Sequence, residues 1–455
     1  MKTKIVVFIL IMVLILFNVT FGCKAAGEET TETVVEEETV VEEETVAVET
    51  AEEEEELTIN YWHWPHPELD YLQEMLPEFK KLHPNWEFVL HLQDGVKMKD
   101  IVPSALATEE KTMEFFMFYQ GTRYRDLLPV ELFTDLTPYY EKYGWEEIVL
   151  ESMQTYKREG KWITIPLLPL ATPLILYNKD IFAEKGLEPA NTMDELQQLT
   201  ESEIGGVVLG MISTYPVLQI IDYSLVNGCG SEKYSELVHT TDPDYDGSMK
   251  WTDPIVAESF ENVKWLFDSE IISPYSQSSD VGGMRTAFVS GEAAMVSSGS
   301  WDFSNFDSQS EGQLNYDYFL WPQWKEGNPL RMCSTSSNAY YIPAATSKVK
   351  ADAIAELFDF LFQKENTLKG LQMGRTSIRN DLTEEELQEN LDPKLGRVFS
   401  DLATYGSGEV SDVWLTSEFV GFLGPASIEY INGDKELDWL LNSLEDLAEE
   451  IRSGS

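Results

Sequence analysis

This sequence predicts an α/β protein of two bodies joined by extended crossings, on three observations. The chain has 455 residues, more than one hydrophobic core ordinarily holds, so two or more domains are expected. Residues 57–92 read as strand, helix, strand. Residues 167–177 are apolar but broken by Pro169 and Pro173, so they cannot form one helix and are read as extended chain passing between bodies.

At the N-terminus, Lys2 and Lys4 precede an apolar run over residues 5–19, the pattern of a signal peptide over residues 1–22. Thr20-Phe21-Gly22-Cys23 resembles a lipobox with Thr20 in the usual place of Leu, so Cys23 is expected to carry a lipid and become the mature N-terminus. An uncleaved anchor over residues 5–22 and plain secretion are the alternatives. Each places the folded part in the cell envelope, outside the cytoplasmic membrane, on its periplasmic or extracellular face. Residues 23–56 follow as a lipid-anchor cysteine and linker. Residues 28–56 hold 15 Glu and no Lys or Arg, with the echo TVVEEETVVEEETV, and like-charge repulsion predicts a solvated tether. The net charge is −48, and residues 57–455 alone carry 65 acids against 29 bases, a net −36. That balance excludes a nucleic-acid partner.

In the first body, residues 57–61 alternate as a strand that ends in Trp62-His63-Trp64-Pro65. Residues 68–82 predict an amphipathic helix with Leu72, Leu76, Phe79 and Leu82 on one stripe, stopped by Pro84. A second strand covers residues 87–92, and the apolar run at 113–119, MEFFMFY, is a buried central strand. Ligands in open α/β sheets sit beyond the carboxyl ends of strands. Trp62 and Trp64 lie at such an end, as ligand contacts or as loop packing. So does the stretch Tyr119-Gln120-Gly121-Thr122-Arg123.

After the crossing, Thr192-Met193-Asp194-Glu195 is a capping box. Residues 217–226 read as a buried helix, and residues 258–269 as a helix with Phe260, Val263, Trp265 and Phe267 apolar. In AFVSGEAAMVSSGSWDFSN, residues 287–305, a helix ends near Gly291, a strand of small residues follows, and Gly299 turns the chain. Trp301 is then placed to stack on a ligand, with Asp302 to accept from its hydroxyls; the alternative for Trp301 is packing in the seam between bodies. Residues 333–342 read as a second crossing in which Tyr340 and Tyr341 pack a strand, and residues 438–451 as a closing amphipathic helix. Cys229 and Cys333 are either bonded or two buried thiols. There is no GxSxG, HExxH, CxxC or phosphate loop, and with five His a triad or zinc site is not expected, nor is a cofactor. Among 80 acids the two carboxylates of a glycoside hydrolase are always on offer, so the exclusion of enzyme chemistry comes from the resemblance below.

The order of the segment at residues 160–199 (GK, Pro166, an apolar crossing, YNKD, KGL, T-x-x-EL) closely resembles extracellular solute-binding proteins of ABC importers, especially the maltose-binding type. So do F-x-x-G-x-A-AM followed by G-x-W at residues 288–301, and FTDLTPY at residues 133–139 with Phe133 for Leu. GRTSIR at residues 374–379 is similar to the family's G-x-x-P-x-R with Pro replaced. Met113-Glu114 departs from the family's Pro-Asp. The resemblance covers nearly all of residues 57–451. It implies a two-lobed periplasmic-binding-protein type II fold: residues 57–170 plus 338–373 as one lobe, 174–333 plus 376–455 as the other, and hinge crossings around a central cleft. It also implies capture of a small solute without turnover, closure, and delivery to the importer's membrane subunits. The expected ligand contacts are Trp62, Trp64, Tyr119, Gln120, Arg123, Tyr215, Trp301, Asp302, Trp414 and Glu418. Tyr215 is the counterpart of a sugar-packing aromatic, or core. Aromatics at 12% of the chain, with 12 Trp, favour a carbohydrate, most readily an oligosaccharide. A monomer tethered to the membrane by its N-terminal lipid is expected. The rival classes are a sensor or adhesin lipoprotein on the same fold and a secreted carbohydrate-active enzyme.

Overall fold

The computed structural model describes residues 56–119, 128–149, 157–167, 170–324, 330, 332–335, 338–375 and 377–454. The signal segment, Cys23, the acidic tether, Gln120 and Arg123 lie outside the described residues. The strands are β1 (Leu57–His63), β2 (Trp86–Leu92), β3 (Phe115–Tyr119), β4 (Ile165–Pro166), β5 (Leu170–Thr172), β6 (Leu174–Asn178), β7 (Met295–Ser298), β8 (Tyr316–Leu320), β9 (Met332–Thr335), β10 (Asn338–Tyr341) and β11 (Ser407–Gly408). The helices that position the site are α1 (Pro67–Lys80), α2 (Gly95–Ala107), α3 (Tyr215–Cys229), α4 (Val281–Val289), α5 (Asp302–Gln309) and α6 (Lys348–Phe362).

The first lobe is built on a five-stranded sheet in the order β2-β1-β3-β10-β4. β1 runs parallel to β2 and β3, and β10 closes antiparallel on β3 with Asn338 opposite Tyr119. Phe115, Met117 and Phe118 have no exposed surface, as a strand paired on both edges and covered on both faces requires. One core joins this sheet to Leu69, Leu72, Met75 and Phe79 of α1 and to the apolar face of α6. Pro67 at the first position, Glu68 and Asp70 in the first turn and Lys80 in the last match the helix dipole. α1 ends at its Lys81 cap, so Leu82 falls off the stripe and is 61% exposed.

The crossing begins where β5 runs through Pro173 into β6. β5 pairs antiparallel with β9, Thr172 opposite Cys333, and β9 leads directly towards β10. Two of the crossings therefore lie side by side. A third passage follows Gly374, whose φ of +78° favours a residue without Cβ. Ile378 still belongs to the first core and the Asn380 amide donates to the Ile148 carbonyl. The chain next enters the other lobe's core at Leu391 and Leu395.

The second lobe packs two adjoining cores around the antiparallel sheet β7-β6-β8. α3 is buried continuously from Pro216 to Asn227. In the helix Pro254–Asp268, Phe260, Val263 and Leu266 face the core, whereas Trp265 is 39% exposed: helical spacing gives the inward position to Leu266. Tyr340 and Tyr341 are both buried in β10. Cys229 and Cys333 are free thiols.

Candidate functional site

The first-lobe wall forms at the carboxyl ends of β1 and β3. His63 is fully buried; its Nδ1 lies 2.6 Å from the Trp64 carbonyl and its Nε2 3.0 Å from the Tyr340 hydroxyl. A carbonyl only accepts, so Nδ1–H donates and Nε2 takes the tyrosine proton. Burial holds this imidazole down at about 4, against the Trp64 carbonyl, which favours the charged form. Trp64 stacks on Tyr119 at 5.2 Å between centroids and 18° between planes. The Trp64 ring sits so close to Gly95 that a Cβ there would lie 3.1 Å from it. The Tyr119 hydroxyl reaches the Gly95 carbonyl at 3.4 Å. Trp62 takes the other face of β1, as alternation demands: its indole donates to Thr112 at 3.3 Å and packs against the first core. His66 caps α1 by accepting the Glu68 amide on Nδ1 at 3.2 Å, which places its proton on Nε2.

The second-lobe wall forms where β7 meets α5. A Cβ on Gly299 would lie 2.0 Å from the Trp301 ring, so glycine serves here for close approach of the indole. Asp302 has no exposed surface. Its Oδ1 accepts from Arg285 Nε at 2.8 Å, from Arg285 Nη2 at 2.7 Å and from Asn305 at 2.8 Å; its Oδ2 accepts from Ser298. The expected role of Asp302 as an acceptor for solute hydroxyls is therefore corrected: both oxygens are engaged inside the lobe. Arg285, 20% exposed, is the group presented instead. Tyr215 opens α3 beside this pair; burial and the Asp302 charge raise its phenol pKa, with Arg285 opposing.

Of the residues expected to contact ligand, Trp64 and Tyr119 come together, as do Tyr215, Trp301 and Asp302. Trp414 instead packs on His239 at 5.2 Å, and Glu418 is exposed on the first turn of the helix Ser417–Ile431. Sequence reasoning missed Arg285, although it is the one charged residue between Val281 and Gly291. Nor does it read the capping role of His66, signalled by its place before Pro67 at a helix start.

The two walls meet across a seam. Arg375, beyond Gly374, pairs with Glu68 of α1 at 2.6 Å and lies over the Tyr71 ring at 4.0 Å. Burial first, then the charges of His63, Arg285 and Arg375, push His66 down to about 3, so a guanidinium of the second lobe acts on a ring of the first. A cavity of 620 Å³ runs between α1 and α5, lined by Asp70 and Glu74 on one side, Phe303 and Asp307 on the other, and also by Gly374 and Asp392. Trp64, Tyr119, Tyr215 and Trp301 do not line it. Four of its eleven lining residues are carboxylates, and Lys394 lies beside two of them, Asp307 and Asp392.

Two α/β lobes linked by paired crossing strands around a cleft define a protein that clasps a ligand. The chain belongs to the bacterial extracellular solute-binding proteins, whose family model matches residues 64–368. Two uncharacterized ABC transporter extracellular-binding proteins of Pyrococcus horikoshii are similar to it, 25% identical over 271 residues and 24% over 281. The chain spans 57% of the length of the first and 59% of the second, and those alignments cover 57% and 58% of this chain. A chitin oligosaccharide binding protein of known structure shares the fold, with a TM-score of 0.73 at 18% identity over 87% of this chain and 100% of that one. So does a maltose-bound protein of T. maritima, with 0.68 at 16% over 88% and 100%. Among the described residues, no helix is long and apolar enough to cross a membrane.

Proposed function

We propose that this protein is an extracytoplasmic solute-binding lipoprotein. It captures a sugar or oligosaccharide between its lobes and delivers it, unreacted, to the membrane subunits of an ABC importer. The observation that supports this reading is that each lobe, with its own core, carries an aromatic group, Trp64 stacked on Tyr119 in the first and Trp301 over Gly299 in the second. Aromatic faces suit the C–H face of a sugar ring, and polar neighbours suit its hydroxyls. Family membership supports capture without turnover. Structural neighbours named for chitin oligosaccharide and maltose support the sugar class. In this reading residues 1–22 are a signal, Cys23 takes the lipid, and residues 24–56 tether a monomer to the membrane. The lobes are residues 57–170 plus 338–373 and 174–333 plus 376–455. Gln120 and Arg123 are polar ligand contacts in this reading.

The test is a thermal-shift screen of the full-length chain against mono- and oligosaccharides, amino acids, polyamines and metal salts. Ligand that binds only the folded state raises the midpoint by mass action. A rise with one saccharide class is expected. A rise confined to another class keeps capture and overturns the sugar; none at all favours the sensor or adhesin class. Trp301→Ala should weaken the responding sugar by about fivefold or more, the loss of one stacking contact, measured by titration calorimetry.

A further inference from the structure

The end of the seam nearest the Trp301 wall is rich in donors, and its acceptors are already engaged. Asp302 is saturated by Arg285, Ser298 and Asn305. Glu68 is held by Arg375. What remains are hydrogen-bond donors. Arg285 anchors Nε and Nη2 on Asp302, which leaves its Nη1 edge, and the side chain keeps 20% of its surface exposed. His66 carries its proton on Nε2 because Nδ1 caps α1. Arg375 has a buried Nε with no partner. Three helices also begin at this pole: α1 at Pro67, α3 at Tyr215 and α5 at Asp302. Each N-terminus adds partial positive charge. Helix starts alone would not define a site; here they coincide with a guanidinium held rigid in the wall and with a fixed-tautomer imidazole on the opposing lobe.

We propose that Arg285, positioned by Asp302, is the specificity-determining residue of the cleft and selects a saccharide bearing a single carboxylate, as in an aldobiouronic acid. A carboxylate accepts charge-assisted hydrogen bonds from a guanidinium about twice as strong as neutral ones. A neutral sugar leaves the same donors with weaker partners. The inference rests on the saccharide reading above and narrows it. It concerns one carboxylate and not a polyanion, because the adjoining cavity is lined by Asp70, Glu74, Asp307 and Asp392, with a single lysine, Lys394, beside the last two. A second uronate extending along α1 and α5 meets like charge there. The acid end of the solute therefore lies at the helix starts, and its neutral end lies towards the aromatic faces.

The test is titration calorimetry of the full-length chain with three probes: an aldobiouronic acid, its carboxyl-reduced neutral counterpart, and the corresponding diuronic acid. The mono-acid should bind at least tenfold tighter than either of the others. Arg285→Gln should erase that preference, so that the mono-acid and neutral probes bind the variant with affinities within about threefold of each other. If the single variant unfolds because Asp302 is stranded, Arg285→Gln/Asp302→Asn removes both charges and keeps the measurement available. A merely structural Arg285 would weaken all three probes in parallel and leave their ratios intact. Equal or tighter binding of the neutral probe to the unaltered protein overturns the acid inference and keeps the saccharide reading. Binding of none of these probes, nor of any sugar in the thermal screen, overturns both.

Discussion

At the scale of single residues, Gly299 and His63 show how local chemistry shapes the cleft. Alanine at 299 would place its methyl inside the Trp301 ring, but that ring sits at the end of a rotatable side chain. The expected outcome is a stability loss under about 1 kcal/mol, since the indole swings aside where a packed core residue would not. Sugar affinity should fall about tenfold. Chemical denaturation beside calorimetry separates the two, and an unchanged affinity would sink the stacking role. His63 governs acid stability. Its folded value of about 4 lies below the unfolded 6.5, so the unfolded chain binds more protons between these pH values and stability falls on acidification through that window. His66, held at about 3, acts in the same direction, with a smaller share because its ring keeps some solvent contact. Asp222 opposes them. Burial raises it to about 7, so the native state holds a proton that the unfolded chain releases near 3.8, and this contribution grows as pH falls. Asp222→Asn should therefore steepen the loss between pH 7 and pH 5 by roughly 1 kcal/mol per pH unit. Urea midpoints at pH 7, 6 and 5 would read it, and identical slopes in both proteins would refute it.

At the scale of elements, α1 is the member that ties hinge to site. Its first turn carries the His66 cap, and its Glu68 holds Arg375 with only 7% and 13% of the two side chains exposed. Arg375→Ala leaves a buried carboxylate unpaired, and the expected cost is about 3–5 kcal/mol in urea unfolding. Glu68→Gln/Arg375→Met should recover most of that, because no charge is then stranded; failure of the double variant to recover would show that the Tyr71 contact, and not the ion pair, carries the loss. Elements of this kind were largely legible in the sequence. β3 announced itself through an unbroken apolar run, α3 through its buried length, and α5 through the glycines before Trp301. Partnerships between distant segments were not legible. The pairing of β10 with β3 and of Arg375 with Glu68 joins residues more than 200 positions apart, and no local periodicity encodes such contacts. For the same reason Asp302 looked like a free acceptor: the groups that saturate it are displayed only once α4 packs beside β7.

At the scale of the whole molecule, charge is the dominant feature. Residues 57–455 carry a net −36, with only 29 basic residues to offset 65 acids. Several of those bases are drawn into pairs that hold the lobes, among them Arg285, Arg375 and Arg397, which binds Asp317 bidentately. The surplus carboxylates therefore repel one another across the surface, and the compact state holds them closer than the unfolded chain does. Screening acts on this repulsion more than on the buried pairs, because the Debye length shrinks from about 30 Å at 0.01 M to about 3 Å at 1 M salt. Raising sodium chloride from 20 mM to 500 mM should lift the thermal midpoint by several degrees, and potassium chloride should do the same, since the effect is of ionic strength and not of a particular cation. A midpoint that stays flat or falls would mean that attractive surface pairs outweigh the excess, and the acidity would then have to be explained by the placement of charges rather than by their sum.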